Sequence, residues 1–247
     1  MNYKMIIQYD GTRYDGWQKQ GNTENTIQGK LEAVLCRMAQ CPVEVQGAGR
    51  TDAGVHAYGQ SASFRLDKEL PPEEIREYMN RYLPEDIEVL TVEQADERFH
   101  ARLSAVRKTY LYRIGTGSSK HVFDRKFLYR CEGCLDVHAM QEAARHLRGT
   151  HDFKSFCTNR RMKKSTVRTL HVIRIDVDKK ESTIRFLFIG DGFLYNMVRI
   201  IVGTLIEVGQ GKRNPDDIRK ILEAKDRQQA GFTVPPQGLA LVGVEYE

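Results

Sequence analysis

Cysteine is scarce in this chain and odd in number, with five residues scattered among 247. That argues against a disulfide framework. Cys131 and Cys134 form a lone C-x-x-C, but a zinc site needs a second ligand pair at suitable spacing, and downstream only Cys157 and isolated histidines are on offer. A thioredoxin-like redox role has no supporting context either. With only seven prolines and no low-complexity tract, the composition is that of a globular chain. No apolar run reaches bilayer-spanning length, and the opening MNYKMIIQYD alternates like a strand where a leader would be continuously apolar. A soluble, cytoplasmic protein is expected, with no membrane partner.

Familiar catalytic signatures are missing too. GAGRTDAG (47–54) is not a dinucleotide fingerprint, because Asp52 stands where a glycine is required. GQGKR (209–213) is not a phosphate loop, because Ile206 occupies the first glycine position and Arg213 replaces the hydroxyl residue. There is no zinc-deaminase pattern, no H-E-x-x-H and no G-x-S-x-G. Two-metal nucleotidyl transfer would want several converging carboxylates, and the glycine loop offers one. What survives is chemistry without metal or cofactor, centred on one carboxylate.

What is present is an uneven charge. Residues 98–174 carry 18 Lys/Arg against 5 Asp/Glu, whereas residues 1–97 carry 10 against 17. A solvated basic face would account for part of this. The length of the block and its interleaved aromatics favour a polyanion-binding surface, and nucleic acid above others.

Hydrophobic periodicity orders the chain as β-α-β-β-α-β twice over. Strands are expected at 2–9, 43–46, 59–66 and 85–92, with helices over TIQGKLEAVLCRMAQ (26–40) and PPEEIREYMNRYL (71–83). The second set comprises SAVRKTYLYRI (104–114), DVHAMQEAARHLRG (136–149), VRTLHVIRIDV (167–177), STIRFLFIG (182–190), the apolar helix FLYNMVRIIVGTLIEVG (193–209) and LALVGVEYE (239–247), with one extra helix at 214–226. This implies an α/β (α+β) protein of two ferredoxin-like lobes, residues 1–100 and 101–247, with a mixed, largely antiparallel sheet and helices on one face.

Four residues stand out as candidates for the chemistry. Asp52 is the lone carboxylate of the glycine loop; a turn role is the plain alternative. Gly47, Gly49 and Gly54 would let backbone approach a bulky ligand, and Arg50 could meet its phosphate or ribose. Arg199 is the one charge between Asp191 and Glu207, costly in an apolar helix unless it pairs or snorkels. As a partner for Asp52 it would hold that carboxylate ionised. Tyr110 and Tyr112 share one strand face behind Arg107 and Lys108, suiting either core packing or base stacking. RRMKKSTVR (160–168) suits either a solvated loop or a phosphate clamp of Arg160, Arg161, Lys163 and Lys164.

GAGRTDAGVHA, FHARLSAVRKTYLYRI, HDFKSF, VRTL and GFLYNMVRIIVGTLIEVGQGK, in this order and spanning nearly the whole chain, resemble the motifs of the TruA family of tRNA pseudouridine synthases. The resemblance implies the pseudouridine synthase fold, a cofactor-free isomerase and a homodimer. It implies a basic cleft for the anticodon arm of tRNA, with uridines 38, 39 and 40 as targets. It implies Asp52 as the catalytic residue, Tyr110 packed on the target base, Arg199 paired with Asp52, and Arg50 holding the flipped nucleotide. The Cys131–Cys134 pair gains nothing from it.

Overall fold

The computed structural model describes residues 1–159 and 164–247, which divide into two compact units: Met1–Val106 with Ala240–Glu247, and Arg107–Leu239. In the first unit β1 (Asn2–Tyr9) alternates as read, with Tyr3, Met5, Ile7 and Tyr9 buried. Five elements follow: α1 (Ile27–Ala39), β2 (Val45–Gly47), β3 (His56–Arg65), α2 (Pro72–Tyr82) and β4 (Ile87–Ala95). This is the expected β-α-β-β-α-β order. β1 lies between β3 and β4 and is antiparallel to both; Met5 is opposite Ala62 on one side and Val92 on the other. A strand paired on both edges has its register fixed twice over, which makes β1 and β3 a rigid base for the loop between β2 and β3.

The helices start where their caps dictate. Thr26 Oγ1 accepts the Gly29 N–H at 3.2 Å to open α1. α2 begins on Pro72 with Glu73 and Glu74 in its first turn, and buries Ile75 and Met79.

The second unit contains β5 (Ala105–Gly115) from Arg107 onward, then β6 (Tyr129–Arg130), α3 (Val137–Arg145), β7 (Gly149–Asp152), β8 (Val167–Asp178), β9 (Thr183–Gly190), α4 (Met197–Gly209) and α5 (Asp217–Ala224). β9 is antiparallel to both β5 and β8, and β7 extends the sheet beyond β8. Two helix boundaries differ most from the periodicity. α3 ends at Arg145 instead of running on to Gly149, whose φ of +107° opens the unforeseen strand β7. α4 starts at Met197, not Phe193, because Asn196 sits in the left-handed region at φ +61° and breaks the helical path. The last strand, β10 (Leu239–Tyr246), was expected with residues 101–247; from Ala240 onward it groups with the first unit, where it runs parallel to β3.

Candidate active site

Asp52 stands in the loop that joins β2 to β3. The ladder between those strands pairs Gly47 with Ala62 and continues for one more bond, from Ala48 N–H to Ser61 O at 2.7 Å. Beyond it the chain leaves the sheet, and each free backbone group of the loop needs another partner. The carbonyl of Gly49 accepts the Gln60 side-chain amide at 2.8 Å. The carbonyl of Thr51 accepts the Trp17 N–H at 3.0 Å, and its hydroxyl meets the Tyr9 hydroxyl at 2.8 Å. The carbonyl of Asp52 accepts the Val55 N–H at 3.1 Å, a turn completed by Gly54 at φ +76°. The Asp52 side chain is half-buried, and Arg50 is exposed.

The segment Asp10–Trp17, assigned to no element from the sequence, backs this loop. A β-carbon on Gly47 would fall 2.5 Å from the Trp17 indole, and one on Gly16 would fall 2.8 Å from the Thr51 carbonyl. At the start of β3, His56 Nδ1 accepts the Gly11 N–H at 3.0 Å. Gly47 is thus required by packing against Trp17, and Gly54 by its dihedral. The sequence signal for this backing was available: one tryptophan, directly after D-G-T-R-Y-D-G.

The second unit holds Tyr110 and Arg199. Tyr110 and Tyr112 share a face of β5, opposite Phe188 and Phe186 of β9. Tyr112 is fully buried and donates its hydroxyl to Pro235 O at 2.7 Å; burial pushes that hydroxyl well above the usual tyrosine range. It is a core residue. Tyr110 packs edge-on against Phe193, with ring centroids 5.0 Å apart and planes at 76°. Phe193 lies in the non-helical segment before Asn196.

Arg199, in the first turn of α4, does not snorkel. Its Nε donates to Val234 O and its Nη1 to Asn196 Oδ1, each at 2.8 Å, while Arg199 O accepts the Val234 N–H at 3.3 Å. Asn196 in turn donates to Thr158 Oγ1 at 2.9 Å. Nε and Nη1 of the guanidinium are thus held in plane by these two acceptors, which sets the direction of its fork. Both residues that flank the helix start, Asn196 and Val234, were missed in the sequence, since neither carries charge or periodicity.

Of the proposed clamp, Arg160, Arg161 and Lys163 lie outside the described residues, and Lys164 is exposed. Cys131 is buried and Cys134 exposed, both as free thiols, and burial raises the Cys131 pKa. Among the described residues no group of three His, Cys, Asp or Glu side chains could hold a metal ion. No helix there is long and apolar enough to cross a membrane.

Comparison with known proteins places the chain in a family. The family described as tRNA pseudouridine synthase matches residues 5–103 and 143–247. A tRNA pseudouridine synthase A from Bacillus sp. (strain KSM-64) is 49% identical over 245 residues, covering 99% of both chains. One from Geobacillus kaustophilus (strain HTA426) is 48% identical over 245 residues, covering 99% of this chain and 94% of its own. A tRNA pseudouridine synthase A 2 from Bacillus anthracis is 45% identical, again over 99% of both. Matched from end to end by proteins of this kind, the chain belongs to the TruA family of tRNA pseudouridine synthases.

Proposed function

We propose that this protein isomerises uridine to pseudouridine in tRNA, at positions 38, 39 and 40 of the anticodon stem-loop, with Asp52 as its catalytic carboxylate. The observation that carries the proposal is Asp52 itself: a half-buried carboxylate on a tethered loop, in a chain 49% identical to a tRNA pseudouridine synthase A. The reaction breaks the bond from uracil N1 to ribose C1′, turns the base, and joins C5 to C1′. N1 gains a proton and C5 loses one, so nothing is oxidised or added and no cofactor or metal is called for. Attack on carbon and removal of the 2′ hydrogen both begin from an ionised carboxylate at the ribose–base junction, which is the task given to Asp52.

The target nucleotide must leave its stack to reach that carboxylate. Arg50, exposed two residues before Asp52, is the group to hold it. Tyr110, braced by Phe193, supplies a fixed ring for the extruded base and a hydroxyl for the C5 proton. Arg199 supplies the charge that keeps Asp52 ionised, its fork being set by Asn196 and Val234. The basic run 98–174, including Arg160, Arg161, Lys163 and Lys164, positions the anticodon arm through phosphates, in a cytoplasmic homodimer.

Release of tritium from tRNA transcripts labelled at uridine C5 tests this directly, because forming the new glycoside must expel that label. Wild-type release with none from Asp52→Asn is the expected result. Release by neither protein, despite tight tRNA binding, would overturn the enzymatic reading; release by both would remove Asp52 from it.

A further inference from the structure

We infer that Gln60 and Tyr9 are positioning residues that set Asp52 by holding Gly49 and Thr51, the residues on either side of Arg50; this rests on reading Asp52 as the catalytic carboxylate. Both side chains come from the strands beneath the loop, and neither lies in the loop itself. Gln60 is in β3, with Ile7 of β1 opposite it. Its Nε2 donates to Gly49 O at 2.8 Å, just before Arg50. Tyr9 ends β1, and its hydroxyl meets Thr51 Oγ1 at 2.8 Å, just after Arg50 and next to Asp52. Because β1 and β3 are paired to each other, the two tethers share one rigid base.

Two further facts indicate that these groups are kept for the tethers. Gln60 is fully buried, and among the described residues its Oε1 has no hydrogen-bond partner. An unsatisfied buried carbonyl carries a desolvation penalty that an apolar side chain of similar shape would avoid. Glutamine at this position is explained by its donor alone. Tyr9 is buried as well, and burial drives its hydroxyl well above the usual tyrosine range, against weaker opposing hydrogen bonds from Thr51 and Gln60. It stays neutral, a fixed hydrogen-bonding group and not an acid in the reaction.

Single-turnover tritium release with saturating enzyme tests the proposal, using Tyr9→Phe, Gln60→Met, Thr51→Val and Thr51→Ser. The first three are expected to slow release about 10- to 100-fold, the range that a displaced reacting group produces. The tRNA Kd should stay within about twofold and Tm close to wild type, a split that a merely structural role would not give. Thr51→Ser retains the hydroxyl and should restore the rate. The double variant Tyr9→Phe/Thr51→Val should lose little more than either single one, since both remove the same bond. Rates within about twofold of wild type, or losses that follow Kd or Tm, would overturn the inference. Asp52→Asn separates the two levels. An active Asp52→Asn overturns the reading of Asp52 and the positioning with it. An inert Asp52→Asn beside fully active Tyr9→Phe and Gln60→Met overturns the positioning alone.

Discussion

The indole of Trp17 lies where a side chain on Gly47 would have to stand, 2.5 Å from the position of its β-carbon. Trp17 is 2% exposed, so it has no free direction in which to yield. Gly47→Ala therefore forces the indole or the end of β2 to move. Overpacking of this kind costs about 1–3 kcal/mol. Thermal denaturation should show a Tm several degrees below wild type. An unchanged Tm would mean that the Asp10–Trp17 segment is free to shift and does not buttress the loop.

Arg199→Lys tests the fork at the start of α4. One ammonium cannot reproduce two in-plane donors, Nε to Val234 O and Nη1 to Asn196 Oδ1. The positive charge remains, but its direction is no longer set. Turnover is expected to fall about 100-fold, as when one preorganised electrostatic donor is removed. Binding of tRNA should change little. Retention of full turnover would show that charge alone suffices at this position.

The contrast between Arg199 and Trp17 explains what could be read from the sequence. β1, α1 and α2 were legible because burial imposes a period and their caps are chemical: Thr26 for α1, Pro72 with Glu73 and Glu74 for α2. Arg199 stood out as a candidate because it is a charge in an apolar helix, and Asp52 because it is the lone carboxylate of a glycine loop. The start of α4 was not legible, since the left-handed backbone of Asn196 leaves no trace in hydrophobicity. β6 and β7, of two and four residues, are too short to show alternation. The backing of the loop was hidden for a different reason: Trp17 and Gly47 are 30 positions apart, and only folding makes them neighbours. The same holds for Tyr9 and Thr51, whose hydroxyls are 42 positions apart in sequence.

Alkaline pH should unfold the protein through its buried tyrosines. Burial pushes Tyr246 up to about 12 from an ordinary value of 10.0, and raises Tyr9 and Tyr112 as well. The unfolded chain then gives up these protons at lower pH than the folded one. Their contribution to stability is complete below about pH 10 and is lost as pH rises toward and through the folded values. Tm should fall steadily above about pH 9.5, with tyrosinate absorbance from these residues appearing together with loss of structure. Tyr246→Phe should make that fall shallower. Full titration of tyrosine in a protein that remains folded would contradict the linkage.

Neutralising Arg160, Arg161, Lys163 and Lys164 with glutamine separates a phosphate clamp from a solvated loop. Lys164 is exposed and the chain just beyond it is anchored, with Thr166 O accepting the Phe153 N–H at 3.0 Å and Thr166 Oγ1 donating to Asp152. Tm is the control that the fold is intact in this variant. Each cation that neutralises a phosphate releases counterions, so its loss reduces the slope of log K against log salt by about 0.7–0.9. Loss of two to four such contacts should flatten the slope by about 1.5–3.5 and weaken tRNA binding most at low salt. The single-turnover rate at saturation should stay close to wild type, because phosphate contacts position the RNA and do not touch the reacting atoms. A slope identical to wild type would assign the basic excess of residues 98–174 to the other cations, leaving 160–164 as a solvated loop.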